Sequence, residues 1–146
     1  MVKRFRQPTQ VYEPTFKKTQ TRKMRLAIIG SRSITDDARV LKTIHTYVVD
    51  NKPSIILKST GKGIDPAIDH FAKANEIDVV NFLPYHLLDS QANFNSKYFF
   101  IRTKQLLNNA DELLAIWDTK SKGTEYAIKY AQKLEIPVKV VKIPMT

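Results

Sequence analysis

Five short apolar segments recur along the chain from residue 26 onward. They occupy residues 26–29, 55–57, 79–83, 113–117 and 138–141. Four of them are almost continuously hydrophobic, as is typical of strands that helices cover on both faces. Between them, apolar residues recur with the period of amphipathic helices. The pattern therefore predicts five strands that alternate with four helices.

The start signals of these helices support the same alternation. Residues 35–37 offer a cap and first-turn acids to the first helix. Asp65 followed by Pro66 predicts an N-cap with proline at the first helical position. Two further helices are predicted over about residues 95–109 and 124–134. We therefore expect a single α/β, Rossmann-like domain, with a five-stranded parallel sheet flanked by helices.

Composition narrows the class of protein further. The chain has 146 residues, the size of one domain, and no cysteine, which excludes disulfides and thiolate chemistry. It has no apolar run of membrane-spanning length and no secretory signal, so we expect a cytoplasmic protein without a membrane partner. His45, His70 and His86 are too far apart for a local metal motif, so neither a metal site nor a cofactor is predicted.

The formal net charge of +10 is distributed unevenly. Residues 1–25 hold eight basic residues and one acid, whereas the remaining residues hold 16 basic residues and 13 acids. We expect a basic, extended arm over residues 1–23 and a folded domain over residues 24–146. An arm of this kind either stays solvated or neutralises the phosphates of a nucleic acid.

Three of the predicted strands end in loops of small, hydroxyl-bearing or lysine-bearing residues, and all four glycines lie in these loops. Ligands bind at the carboxyl ends of parallel strands, and the helix starts that follow are anion sites. We therefore predict a phosphate-bearing ligand at this edge of the sheet. The predicted ligand-binding residues are Gly30, Ser31, Arg32, Ser59, Thr60, Gly61, Lys62, Gly63, Asp118, Ser121, Lys122, Gly123 and Thr124.

Common nucleotide and hydrolase motifs do not fit these loops. Residues 61–63 lack the G-x-x-x-x-G-K-[ST] spacing of a Walker loop. The loop that begins at Gly30 has neither G-x-G-x-x-G nor G-x-S-x-G. A Walker-type ATPase, a dinucleotide oxidoreductase and a hydrolase with a nucleophile elbow are therefore disfavoured.

Several stretches nevertheless occur in an order that suggests a family. They are Ile-Ile-Gly-Ser-Arg-Ser-Ile-Thr-Asp at 28–36, Gly-Lys-Gly-Ile-Asp at 61–65, Ile-Arg at 101–102, and Ala-Asp-Glu-Leu-Leu-Ala-Ile-Trp-Asp at 110–118, running into Ser-Lys-Gly-Thr at 121–124. Over about residues 25–143 the chain resembles the YspA, cpYpsA-related branch of the SLOG superfamily. That superfamily also includes the LOG phosphoribohydrolases and the SMF/DprA proteins. The W-D-x-x-S-x-G-T stretch with its upstream arginine is the most specific part.

The resemblance implies a domain that binds nucleotides or nucleotide-derived ligands and that commonly forms homo-oligomers. LOG-type members cleave the N-glycosidic bond of a nucleoside 5′-monophosphate, using an arginine on the third helix and a glutamate after a glycine loop. Arg102 matches that arginine, whereas Ala127 stands at the position of the acid. If the chain is a hydrolase, Arg102 and the nearby Glu125 are the candidate catalytic residues.

Three functions stay open at the level of sequence. The first is a sensor or sequestering module for a nucleotide or nucleotide-derived signal. The second is a LOG-like N-glycosidase acting on nucleoside 5′-monophosphates. The third is DprA-like nucleic-acid binding that uses the basic arm.

Overall fold

A computed structural model describes residues 24–35, 38–59, 63–83 and 97–144. The strands are β1 (Arg25–Gly30), β2 (Ile55–Ser59), β3 (Asp78–Phe82), β4 (Glu112–Trp117) and β5 (Val138–Lys142). The helices between them are α1 (Ala38–Asn51), α2 (Asp65–Ala74), α3 (Lys97–Asn108) and α4 (Lys122–Lys133). All five strands are parallel and form one sheet, which confirms the predicted α/β, Rossmann-like class.

The strand order is β3-β2-β1-β4-β5. The chain builds the sheet outward from β1 to β3 and then returns to place β4 on the other side of β1. The topological switch point therefore lies between β1 and β4, whose carboxyl ends meet where Gly30 pairs with Ile116. In open α/β sheets this is the position at which ligands bind.

The core consists of two apolar layers, one on each face of the sheet. Alternate residues of a strand face opposite sides, so Ile28 packs with α1 and α2 while Ala27 packs with α3 and α4. On β4, Leu114 likewise packs with α1 and α2, and Leu113 packs with α3 and α4. The central strands are thus covered on both faces, as their continuous apolar runs predicted, whereas Val80 on the edge strand β3 is exposed.

The start of α2 differs from its prediction. Asp65 is not the N-cap: that position belongs to Ile64, whose side chain makes no capping hydrogen bond. Asp65 instead accepts a hydrogen bond from Nζ of Lys58, a side chain that is 2% exposed and that also donates to Oδ1 of Asn81 at 2.6 Å. A buried ammonium without partners costs several kcal/mol, whereas a cap contributes only about 1 kcal/mol.

The two helices predicted over residues 95–109 and 124–134 agree with α3 and α4 to within two residues. Helix α4 begins at Lys122 rather than at Thr124, because Ser121 supplies the N-cap through its side-chain oxygen. Residues 36–37, predicted to open α1, lie outside the described residues, and the helix begins at Ala38. None of the described helices is long and apolar enough to cross a membrane.

The amino ends of the central strands are fixed by two polar contacts. The Arg25 guanidinium pairs with Asp111 at 3.1 Å, and the backbone N–H of Arg25 donates to the same carboxylate at 2.8 Å. Tyr47 on α1 donates its hydroxyl hydrogen to Glu112 at 2.8 Å. Burial and this hydrogen bond raise the pKa of Tyr47. Both contacts lie at the edge of the sheet opposite to the predicted site.

Candidate functional site

A cleft of about 370 Å³ opens at the carboxyl ends of the strands, bordered by the loop after β1, by α3 and by the start of α4. Its lining combines hydroxyl groups, two arginines, one carboxylate and aromatic rings. The lining residues are Ile29, Gly30, Arg32, Ser33, Ser59, Phe99, Phe100, Arg102, Thr103, Asp118, Ser121, Gly123 and Thr124. The cleft therefore lies at the predicted edge of the sheet.

Ser31 joins the loops after β1 and β4 beneath the cleft. Its side chain is buried, and its Oγ accepts a hydrogen bond from the backbone N–H of Asp118 at 3.0 Å. The same Oγ lies 3.2 Å from Oγ1 of Thr124, at the start of α4. Ser31, predicted to contact the ligand, is thus placed among the groups that hold the cleft together rather than on its lining.

The Asp118 carboxylate organises the loop between β4 and α4. It accepts hydrogen bonds from Ser33 Oγ at 2.5 Å and from the backbone N–H groups of Lys120 and Ser121 at 2.8 and 2.7 Å. The Ser33 hydrogen bond, more than the backbone hydrogen bonds, lowers the pKa of Asp118 to about 2, although burial opposes the change. The group is therefore ionised at neutral pH, with its oxygens already engaged.

The first turn of α4 borders the cleft and is capped within the protein. Ser121 Oγ accepts a hydrogen bond from the backbone N–H of Thr124 at 3.3 Å. The indole N–H of Trp117 donates to the carbonyl of Ser121 at 3.0 Å and so fixes the preceding loop. The positive end of the helix dipole thus lies at the cleft, where it favours an anion.

Two of the glycines at this edge are required by packing. A Cβ on Gly30 would lie 2.5 Å from Cδ1 of Ile64, and a Cβ on Gly63 would lie 2.9 Å from the carbonyl oxygen of Ile34. Gly63 also has φ of +91°, which favours glycine. A Cβ on Gly123, in contrast, would come no closer than 4.0 Å to Ser121 Oγ. Packing within the described residues therefore does not require glycine at position 123.

Two arginines converge on one aromatic ring. The guanidinium carbons of Arg102 and Arg32 lie 5.1 and 5.2 Å from the centre of the Phe99 ring. Burial, and to a smaller extent the charge of Arg32, lower the pKa of Arg102 to about 10. Nε of Arg102 is buried and has no hydrogen-bond partner among the described residues. The two like charges are thus held close together at the cleft, which favours an anionic ligand.

The structure brings eight of the predicted site residues onto the lining of one cleft. These are Gly30, Arg32, Ser59, Arg102, Asp118, Ser121, Gly123 and Thr124. Gly63 and Lys122 do not line this cleft. Neither does Glu125, whose carboxylate pairs with Nζ of Lys129 at 3.5 Å, one turn along α4. Residues 60–62, also predicted to bind the ligand, lie outside the described residues.

Sequence reasoning missed five lining residues: Ile29, Ser33, Phe99, Phe100 and Thr103. Phe99 and Thr103 share a helix face with Arg102, so helical spacing around the arginine could have identified them. Ser33 could have been identified as the second hydroxyl-bearing residue of the loop after β1, beside Ser31. In the described ranges, no group of three or more acidic or histidine side chains could hold a metal ion.

Comparison of the chain with protein-family models, with curated proteins and with solved structures gives no match. We therefore infer function from the fold, the geometry of the cleft and its electrostatics.

Proposed function

We propose that this protein binds a nucleotide or a nucleotide-derived ligand in the cleft and acts as a sensor or sequestering module. The observation that carries the proposal is the arginine pair on Phe99. The guanidiniums of Arg32 and Arg102 lie on the same ring, and none of the described carboxylates forms an ion pair with either. An anionic ligand relieves their mutual repulsion and accepts charge-assisted hydrogen bonds from the guanidiniums.

The start of α4 supports a phosphate as the anionic group. The helix dipole and the side chains of Ser121 and Thr124 lie at the cleft, where backbone N–H groups favour a phosphate. Glycine in a helix is less favourable than alanine by about 1 kcal/mol, and packing does not require it at position 123. A ligand that approaches the backbone closely at Gly123 accounts for this cost.

The apolar part of the lining supports a ligand that also carries a ring. Ile29, Phe99 and Phe100 contribute apolar or aromatic surface beside the charged groups. A cleft of about 370 Å³ is at the lower end of the range of about 300–1,000 Å³ for small-molecule sites. A mononucleotide suits this size better than a dinucleotide. The proposal also agrees with what the resemblance to the SLOG superfamily implies.

The carboxylates in and near the cleft support ligand binding more strongly than N-glycosidic hydrolysis. General acid or base catalysis requires a carboxylate that exchanges a proton near neutral pH. The pKa of Asp118 lies far below that range, and its carboxylate accepts hydrogen bonds from Ser33 and two backbone N–H groups. Glu125 pairs with Lys129 and does not line the cleft. We therefore expect AMP to be bound without release of adenine.

Calorimetric titration with AMP, ADP, cyclic AMP and ribose 5-phosphate tests the proposal. Arg102→Met should weaken binding of the phosphorylated ligands by about tenfold or more, because a hydrogen bond to a charged group contributes about 1.5–3 kcal/mol. Lys73→Met, which removes an exposed positive charge from α2, serves as the control and should leave affinity unchanged. If none of the four ligands binds, or if both variants bind equally well, the proposal is wrong.

Chromatography of the same mixtures tests the hydrolytic alternative. We expect AMP to remain intact after prolonged incubation with the protein. Release of free adenine that is lost in Arg102→Met would establish hydrolysis and overturn the assignment as a binding module.

A further inference from the structure

The outer surface of α3 and α4 carries a regular ladder of side chains. Phe100 on α3 contacts Tyr126 on α4, with ring centres 4.7 Å apart. One turn further along both helices, Nζ of Lys104 lies 5.9 Å from the centre of the Tyr130 ring. The two tyrosine rings are nearly parallel, with centres 6.2 Å apart. We call Phe100, Tyr126 and Tyr130 the aromatic strip, and Lys104 lies beside it.

The aromatic strip is partly open to solvent and begins at the cleft. Phe100 lines the cleft and is 37% exposed, and its neighbour Ile101 is 44% exposed. Tyr126 and Tyr130 are half-buried, and Lys104 is exposed. Phe100, exposed in part beside two half-buried tyrosine rings, gives this surface of α3 and α4 an aromatic area that a partner can cover.

The charge of the folded domain is concentrated on this same layer. Helices α3 and α4 carry six basic residues and one acid, Glu125, whereas α1 and α2 on the opposite face carry three of each sign. The six basic residues are Lys97, Arg102, Lys104, Lys122, Lys129 and Lys133. The layer that holds the aromatic strip therefore has a strong positive charge of its own, independent of residues 1–23.

We propose that the aromatic strip and its surrounding lysines bind a single-stranded nucleic acid. Lysines that follow the phosphates and rings on which unpaired bases stack are the two elements by which proteins bind single strands without reading their sequence. A second copy of this chain fits less well, because two such layers would repel each other. A duplex fits less well too, because its bases are already stacked and paired. The inference does not depend on nucleotide binding in the cleft.

Fluorescence anisotropy of the full chain with a labelled 12-nucleotide oligothymidylate tests this proposal. The charge reversal Lys104→Glu with Lys133→Glu removes two positive charges beside the strip. Lys42→Glu with Lys73→Glu makes the same change on α1 and α2, and Lys73 and Lys133 both lie in the last turn of their helices. Residues 1–23 are identical in both variants, so any contribution from them cancels.

We expect the reversal beside the strip to weaken binding by more than tenfold and the control reversal by less than twofold. The slope of log affinity against log salt should also become shallower by about 1.4, or about 0.7 for each lost phosphate contact. An equal loss in both variants, or no loss in either, would overturn the proposal.

The stacking part of the inference has its own test. Tyr126→Leu with Tyr130→Leu retains apolar side chains but removes both rings and their π-faces. We expect at least a fivefold loss of oligothymidylate affinity and an unchanged affinity for heparin, a polyanion without bases. Circular dichroism should confirm that the variant is folded. Equal losses for both ligands, or tighter binding of a 12-base-pair duplex than of the single strand, would contradict binding through stacked bases.

Discussion

The titration of Asp118 should govern how the cleft responds to acid. Its carboxylate accepts hydrogen bonds from Ser33, Lys120 and Ser121, and its pKa falls from an ordinary value of 3.8 to about 2. Each pKa unit corresponds to about 1.4 kcal/mol, so the ionised group stabilises the fold by about 2 kcal/mol. Because the pKa is lowered in the folded state, this contribution is complete above about pH 4 and is lost as the pH falls towards 2.

Urea unfolding followed by the fluorescence of Trp117 measures this contribution. Trp117 is the only tryptophan of the chain and precedes Asp118 directly. At pH 7, Asp118→Asn should lower the free energy of unfolding by about 2 kcal/mol relative to the original protein, and at pH 2 the two proteins should be about equal. Asp50→Asn, at an exposed position of α1, is the control and should change stability by less than about 0.5 kcal/mol at either pH.

A constant difference between Asp118→Asn and the original protein from pH 7 to pH 2 would refute the reasoning. It would mean that the shape of the side chain, rather than its negative charge, stabilises the loop. Equal stability of the two proteins at pH 7 would likewise show that the hydrogen bonds from Ser33 and the backbone contribute nothing net.

Three further substitutions separate structural from functional roles. Gly123→Ala should raise the free energy of unfolding by up to about 1 kcal/mol while weakening AMP binding severalfold, measured by urea unfolding and calorimetry. Gly63→Ala should destabilise the protein by more than about 1 kcal/mol, because φ is +91° and the new Cβ would approach the Ile34 carbonyl. Lys58→Met should cost about 3 kcal/mol in urea unfolding, because Asp65 loses its buried partner, and adding Asp65→Asn should recover part of that loss.

Each of these three predictions has an outcome that would contradict it. If Gly123→Ala retains full affinity, the ligand does not approach the backbone there. If Gly63→Ala is as stable as the original protein, the backbone at position 63 tolerates another conformation. Additive effects of Lys58→Met and Asp65→Asn would show that the two side chains do not interact.

The start of α2 shows where local sequence rules fail. Asp65 and Pro66 carry the signal of a capped helix start, yet the carboxylate belongs to a partly buried network with Lys58 and Asn81. The network joins residues from two strands and a helix, so no local pattern reports it. At α4 the local rule holds, because Ser121 is the N-cap, and the helix begins at Lys122, two residues before its predicted start.

The position of the cleft, in contrast, follows from the sequence once the sheet is known to be parallel. The loops that begin at Gly30 and Asp118 lie at the ends of β1 and β4, which all parallel topologies place at the same edge. Phe99 and Thr103 share a helix face with Arg102, but the packing of α3 over that edge decides that this face reaches the cleft.

The sequence by itself determined the α/β class, the five strands and the edge of the sheet that carries the candidate site, because these depend on hydrophobic periods and on the order of elements along the chain. Only the tertiary structure decided which distant side chains meet. Ser31 and Thr124, 93 positions apart, come within 3.2 Å, and Arg32 and Arg102 share the Phe99 ring, because β4 inserts beside β1. That strand order is set by the packing of whole layers, in which each residue contacts partners from several elements at once.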